Sequence, residues 1–315
     1  MALSRSFIGL VGLVGWLVPA LAVAAPADRE KGQTFQAGGA TLYVEVLGAG
    51  AGVPLIVANG GPGFDHTYEH IAVPGTTSAW DTVAKKRRVV FYDQRGNGRS
   101  GALKPDQPCG LAEQVADLEA VRAKIGAEQI DLLGHSWGGF LVMAYAARYP
   151  QHIRHLITVD SAAPKWGDTV FLFKDIFPEG QERADGYAFA DAFGDKAATA
   201  GFLREYLTWL FYSTQKRDAF VAQVGPGVYT KAVNEAVEHD VQRFDLNPEI
   251  RKFKFPTLVI TGRYDINVAP SVAYKIHKAI PGSKFAVFEQ SGHLPFYEEP
   301  EAFVRTLEDF LGNPR

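Results

Sequence analysis

Cys109 is the only cysteine in this 315-residue chain. A single thiol closes no internal disulfide and builds no cysteine-rich metal site. Neither charge dominates: 32 basic side chains against 35 acidic ones leave a formal net charge of −3. No basic stripe stands out, so nucleic acid, which is held through its phosphates by clustered Lys and Arg, is not an expected partner. Internal repeats and low-complexity tracts are missing as well. What is present is an apolar fraction of 47%, enough for a sizeable core. The length suits one α/β domain carrying an insertion.

Only the N-terminus holds a long apolar run. Arg5 gives a positive start, Phe7 to Leu21 is almost wholly apolar, and Ala22-Val23-Ala24 supplies small residues for cleavage before Ala25. Residues 1–24 therefore read as a signal peptide, and the mature chain as exported, to a periplasm or beyond. An uncleaved anchor is the competing reading, because the run lies near the lower length limit for a span. The small-residue site favours removal, which leaves no stable membrane association.

The mature chain alternates strands with helices. "TLYVEVLG" (Thr41 to Gly48) alternates as a half-buried strand should. "PLIVANG", "RVVFYDQRG" and "IDLLGHS" are short runs that end in turn chemistry. "GGFLVMAYAARYP" reads as a helix stopped by Pro150, and "IRHLITVDS" as the next strand. "FPTLVITGRYD" and "SKFAVFEQSGH" follow late, before a closing helix over Pro300 to Leu311. This alternation predicts an α/β fold with a mostly parallel sheet covered on both faces. Residues 25–162 and 251–315 form the expected catalytic domain. Between them, over 163–250, strand signals vanish. Charged helical stretches take over, rich in aromatics such as Phe171, Phe173, Phe193, Phe202, Tyr206 and Trp209. This stretch is expected to be a helical cap, with most aromatics in its own core and a few lining a pocket.

Gly134-His135-Ser136-Trp137-Gly138 fits G-x-S-x-G, directly after an apolar strand and opening a helix. The pattern alone is weak; its place in the chain strengthens it. A sharp strand-to-helix turn projects the Ser136 hydroxyl from the sheet edge, and small residues at Gly134 and Gly138 relieve the crowding. A serine hydroxyl needs a base. Of eight histidines, His293 follows the last strand on a glycine-softened turn, at the edge where Ser136 stands. His135 adjoins the serine but is expected to point away from the hydroxyl. His66 and His70 lie in an early loop. Asp265, directly after the preceding strand, is the expected acid, although an aspartate there could equally cap a turn. Negative charge on the reacting carbonyl oxygen needs two backbone amides. Trp137 supplies one. Gly61, in "ANGGPGF", is the expected second, with Gly60 beside it facing substrate.

These stretches resemble a family: the α/β-hydrolases of the proline iminopeptidase group. "NGGPG" matches its H-G-G-P-G loop, and "YDQRGNGRS" its D-Q-R-G-x-G-x-S turn. "GHSWGG" is similar to its nucleophile elbow, "GRYD" and "SGH" to its acid and base loops. The resemblance implies an α/β-hydrolase fold and release of an N-terminal proline, or another small residue, from a small peptide through an acyl-enzyme. It implies no metal or organic cofactor. It also implies cap carboxylates that bind the substrate's amino group: Glu235 aligns best, with Glu238 and Glu205 as weaker candidates. Two positions depart from the family. Asn59 stands where histidine is usual, and Ile266 where some members carry a second glutamate. Both leave serine hydrolysis intact and bear on peptide specificity. An esterase, lactonase or amidase with the same triad is the alternative reading, and a non-catalytic binder on the same scaffold a further one.

Overall fold

The computed structural model describes residues 32–192, 197–225 and 228–312. The expected signal peptide and Phe193 lie outside them. Eight strands form one sheet: β1 (Gln33–Ala37), β2 (Ala40–Leu47), β3 (Leu55–Ala58), β4 (Val89–Asp93), β5 (Ile130–His135), β6 (Ile153–Val159), β7 (Thr257–Gly262) and β8 (Lys284–Phe288). Their order is β1-β2-β4-β3-β5-β6-β7-β8. β1 pairs antiparallel with β2, and β2 with β4; the rest run parallel. The parallel sheet inferred from the alternation is thus formed.

Strand periodicity divides the core. Successive side chains point to opposite faces, so Ile56, Val90, Tyr92, Leu132 and Val259 enter one buried cluster. Their neighbours Leu55, Val57, Val89, Phe91, Leu133 and Ile260 enter the other. Helices cover both faces: α1 (Ala79–Ala84), α2 (Leu111–Lys124) and α3 (Trp137–Arg148) in the first half. Between β6 and β7 come α4 (Phe173–Ile176), α5 (Pro178–Ala192), α6 (Ala198–Thr208), α7 (Thr214–Val221), α8 (Lys231–Val241) and α9 (Asn247–Ile250). α10 (Pro270–Ala279), α11 (Pro295–Glu298) and α12 (Pro300–Leu311) complete the chain. Among the described residues no helix is long and apolar enough to cross a membrane. Cys109 is buried, which pushes its thiol up to about 11 and leaves it a packing residue.

β2 departs from its expected half-burial: only Thr41 and Val46 are partly exposed. Glu45, which the alternation assigns to solvent, is 3% exposed. It faces His66 and His70 from a 3₁₀ turn, with nitrogens 3.7 and 3.6 Å from its oxygens. The early-loop histidines are therefore interior residues, and strand β2 is covered on both sides.

The inserted helices are bonded to the sheet's C-terminal edge at several points. Leu210, just after α6, accepts the backbone N–H of His293 (2.7 Å). The carboxylate of Glu298 accepts the N–H groups of Tyr212 (3.1 Å), Ser213 (2.8 Å) and Gly292 (2.7 Å). Asp240 on α8 accepts the N–H of Leu111 at 2.7 Å, at the start of α2.

Candidate active site

Parallel register decides which residues meet. Ala58 pairs with Gly134, His135 with Val159, Val159 with Ile260, and Gly262 with Phe288. The residues that follow β3, β5, β6, β7 and β8 therefore emerge along one edge. These carry the Gly60–Gly61 loop, Ser136, Asp160, Asp265 and His293.

Ser136 sits between β5 and α3 with φ 57° and ψ −121°. That backbone region is costly for a residue with a side chain, about 1–3 kcal/mol, and is held only by over-determined surroundings. Ser136 donates its N–H to Val159 (2.9 Å), and its carbonyl accepts from Gly139 (2.9 Å) and Ala162 (3.2 Å). The flanking glycines are required by contact. A Cβ on Gly134 would stand 2.1 Å from the Gly138 oxygen, and one on Gly138 2.1 Å from the Ala58 oxygen.

Asp265 and His293 are joined: Nδ1 of His293 lies 2.7 Å from Oδ2 of Asp265. The other carboxylate oxygen accepts the N–H groups of Asn267 (2.8 Å) and Val268 (2.9 Å). Asp265 thus shapes a turn and orients the imidazole at once. With Nδ1 donating, Nε2 of His293 is an acceptor, and it meets the side-chain amide of Asn267 at 3.1 Å. Ser136 and His293 line one small chamber together with Gly60, Gly61, Tyr68 and His135.

His135 lies against His293, ring centroids 4.7 Å apart. Its Nε2 donates to the His293 carbonyl (2.8 Å), and its Nδ1 accepts from the Tyr68 hydroxyl (2.7 Å). Tyr68 in turn accepts the N–H of Gly60 at 2.7 Å. Burial, reinforced by the neighbouring His293, holds His135 well below its ordinary value, so it stays neutral. Beside Tyr68, burial pushes Glu69 up to about 8, and it keeps its proton at neutral pH.

Gly61 has φ +126°, a conformation that glycine adopts without penalty. Among the described residues no acceptor meets the backbone amides of Gly61 or Trp137. The loop is braced from within: the Asn59 amide donates to the carbonyls of Gly60 (3.0 Å) and Phe64 (2.7 Å). Gln94 ties loop to elbow, donating to the Asn59 carbonyl (2.9 Å) and accepting from the Trp137 indole (2.8 Å). The rest of its motif is scaffolding. Asp93 bonds His66 at 2.6 Å, and Arg95 grips Asp117 with two bonds at 2.7 and 2.6 Å.

Ser136, Gly61 and Trp137 open onto a cavity of about 340 Å³ walled by aromatics, among them Phe64, Trp166, Phe202, Tyr206 and Tyr229. One carboxylate lines it, Glu238. Glu238 is open to the cavity yet hemmed in by protein, and that crowding raises its pKa, with the Glu235 charge adding to the rise. Glu235, the better-aligned candidate, lines an adjoining chamber of about 240 Å³ and stands 3.8 Å from Lys231. Helix geometry explains the difference. On α8, Asn234 and Glu238 are four residues apart and share the row facing the cavity, whereas Glu235 shares a row with Lys231. Glu205 is engaged elsewhere, bonded twice by Arg183 at 3.0 and 2.7 Å.

Two buried triplets bring potential metal-ligand atoms within 4.8 Å of one another: Glu45, His66 and His70, and His135, Asp160 and His293. In the second, all four imidazole nitrogens are engaged in the hydrogen bonds above. In the first, burial pushes His66 down but bonds to Asp93 and Glu45 outweigh it, raising it to about 9. A protonated imidazole offers no lone pair, so an ion at the first set would have to displace the His66 proton.

Asn267, Gln94 and Tyr68 escaped the sequence reading. Asn267 carried a faint signal, two residues beyond Asp265 in a turn; Tyr68 carried none.

Fold and edge geometry define an α/β hydrolase, and a family model for the alpha/beta hydrolase fold matches residues 53–300. A proline iminopeptidase of Clostridium botulinum is 30% identical over 85% of this chain and 94% of its own length. One from Saccharolobus solfataricus is 30% identical over 82% of this chain and 84% of its own. Among solved structures, an alpha/beta fold family hydrolase from Bacillus anthracis superposes with a TM-score of 0.73 at 19% identity, covering 89% of this chain and 98% of that one. The chain belongs to the α/β-hydrolase fold family and, within it, stands with the proline iminopeptidases.

Proposed function

We propose that the protein is a serine hydrolase of the proline iminopeptidase type, with Ser136 as nucleophile, His293 as base and Asp265 as the acid that orients it. The observation that carries this reading is the meeting of Ser136 and the Asp265–His293 pair in one chamber beside two unengaged amides. Nε2 of His293 leaves Asn267, takes the Ser136 proton, and Ser136 adds to the carbonyl of the first residue. The amides of Gly61 and Trp137 receive the oxyanion; each is worth about 3 kcal/mol in such a site. His293 then protonates the leaving amine, and water, activated by the same base, cleaves the acyl-enzyme. Residues 163–250 act as the cap, and residues 1–24 direct export.

The aromatic cavity receives the apolar first residue, and Glu238 receives its ammonium. Crowding raises the carboxylate's pKa although Asn234 bonds it, and a bound cation opposes that rise. Kinetics on a prolyl arylamide with free or blocked amino group test this. Glu238→Gln should raise KM for the free substrate about tenfold, as loss of one charge-assisted hydrogen bond does. The blocked substrate should be indifferent to that change. Glu235→Gln should alter either KM less than about twofold, as exposed charges do. Equal rates on free and blocked substrates would discard the aminopeptidase reading in favour of an esterase or amidase.

A further inference from the structure

A second buried carboxyl lies under the triad and has no part in the mechanism above. Asp160 follows β6, the strand between those that carry Ser136 and Asp265. It is fully buried, with φ 45°, a left-handed conformation unusual for a residue other than glycine. Its Oδ1 accepts the N–H of Gly262 at 2.8 Å. Its Oδ2 meets no donor among the described residues. Its carboxyl lies within 4.8 Å of ring nitrogens of His135 and His293, and the Asp265 carboxyl, bonded to that same His293 at 2.7 Å, acts on it through its charge.

Two carboxyl groups in contact, shielded from water, do not both ionise; one keeps a proton. The bonding pattern says which. Asp265 accepts three N–H groups, from Asn267, Val268 and His293, and all three favour the charged form. Asp160 accepts one, the N–H of Gly262. Burial and the adjoining Asp265 charge raise its pKa well above the carboxylate range. The titratable groups around it are Asp265, His293 and His135, and His135 is neutral with both nitrogens engaged.

We propose that Asp160 is a positioning residue for the triad: its carboxyl stays protonated and donates a hydrogen bond to Asp265, fixing the acid that fixes His293. The bond holds the Asp265 carboxylate in the orientation that His293 requires. The proposal rests on the assignment of Ser136, His293 and Asp265 above.

The test reads nucleophile activation without reference to peptide preference: the rate at which a fluorophosphonate labels Ser136, followed from about pH 5 to about pH 8, where histidine side chains in general change charge. Asp160→Ala should slow labelling about tenfold and move the acidic limb of the profile, as loosening of a triad acid does. Asp160→Asn keeps a donor toward Asp265 and an acceptor for Gly262, and should recover labelling to within about threefold of wild type. An Asn variant as slow as the Ala variant would mean that an ionised carboxylate is needed and would overturn the proposal. So would an Ala variant with the wild-type rate and profile. Should Asp160→Ala not fold, the Asn variant decides alone: retained labelling supports the proton-bearing role, a tenfold loss refutes it. Wild-type protein that is never labelled would sink the serine-hydrolase reading, and this proposal with it; labelled wild type with a failed Asn rescue sinks this proposal alone.

Discussion

At the scale of single residues, the elbow is built by exclusion. A Cβ at position 60 would lie 3.0 Å from the Ser136 Cβ and 3.1 Å from both His135 Nδ1 and the Tyr68 hydroxyl. Gly60→Ala should therefore push the serine or its loop aside. Fluorophosphonate labelling should slow at least about tenfold, a cost that small misplacements produce at reacting centres, while the thermal midpoint changes little. Gly138→Ala meets backbone, 2.1 Å from the Ala58 oxygen, which no rotamer relieves. It should cost about 2–3 kcal/mol of stability by urea unfolding, an overpacking penalty. Ser136, Asp265 and His293 were legible in the chain because each directly follows an apolar strand, and parallel strands deliver their ends to one rim. The sequence ranks Glu235 above Glu238, and the structure turns Glu238 toward the aromatic cavity for a physical reason. Sequence matching weighs a position, whereas the rotation of a helix about its axis is set by Val233, Val237 and Val241 packing beneath it. Asn267 and Asp160 stayed hidden because a polar residue in a turn looks the same whether or not it touches a histidine.

At the scale of elements, β2 and its neighbours form a charged interior patch. Burial pushes Glu45 up, but His66, His70 and Tyr43 outweigh it and hold it at about 2. His66, partnered by Asp93 and Glu45, is raised from 6.5 to about 9. A depressed carboxylate adds stability above its ordinary 4.5, lost as the pH falls toward about 2. A raised histidine adds stability below its ordinary 6.5, lost as the pH rises through about 9. Thermal unfolding should therefore show a plateau between the ordinary values of 4.5 and 6.5 and decline on both sides, the alkaline loss amounting to about 3 kcal/mol. His66→Ala should lower the plateau and flatten the alkaline decline; an unchanged alkaline slope would speak against the His66 assignment. The strand itself was readable from its alternation, but its burial was not. Glu45 looks solvent-facing until one knows that His66 and His70, more than twenty residues along the chain, fold over it.

At the scale of the whole molecule, Glu298 gathers two separated segments, through the N–H groups of Tyr212 and Ser213 in one and of Gly292 in the other. Glu298→Ala would leave those donors without their acceptor, and the N–H of buried Gly292 unmet, at about 1–3 kcal/mol. Lower stability with slower labelling of Ser136 is expected, because the histidine loop would loosen; a stable variant of full reactivity would show the link to be dispensable. The overall class and the helical stretch between strands were legible from composition, since both follow from local periodicity. The bonds between them were not, since nothing in a linear text pairs residue 210 with residue 293. That pairing has an evolutionary corollary. The backbone N–H of His293 leans on the carbonyl of Leu210, between α6 and α7, so a chimera that swapped in a foreign segment there would have to provide the same oxygen to hold the histidine loop. New substrate preferences are thus to be sought as point changes in the aromatic wall rather than by exchanging the insert wholesale.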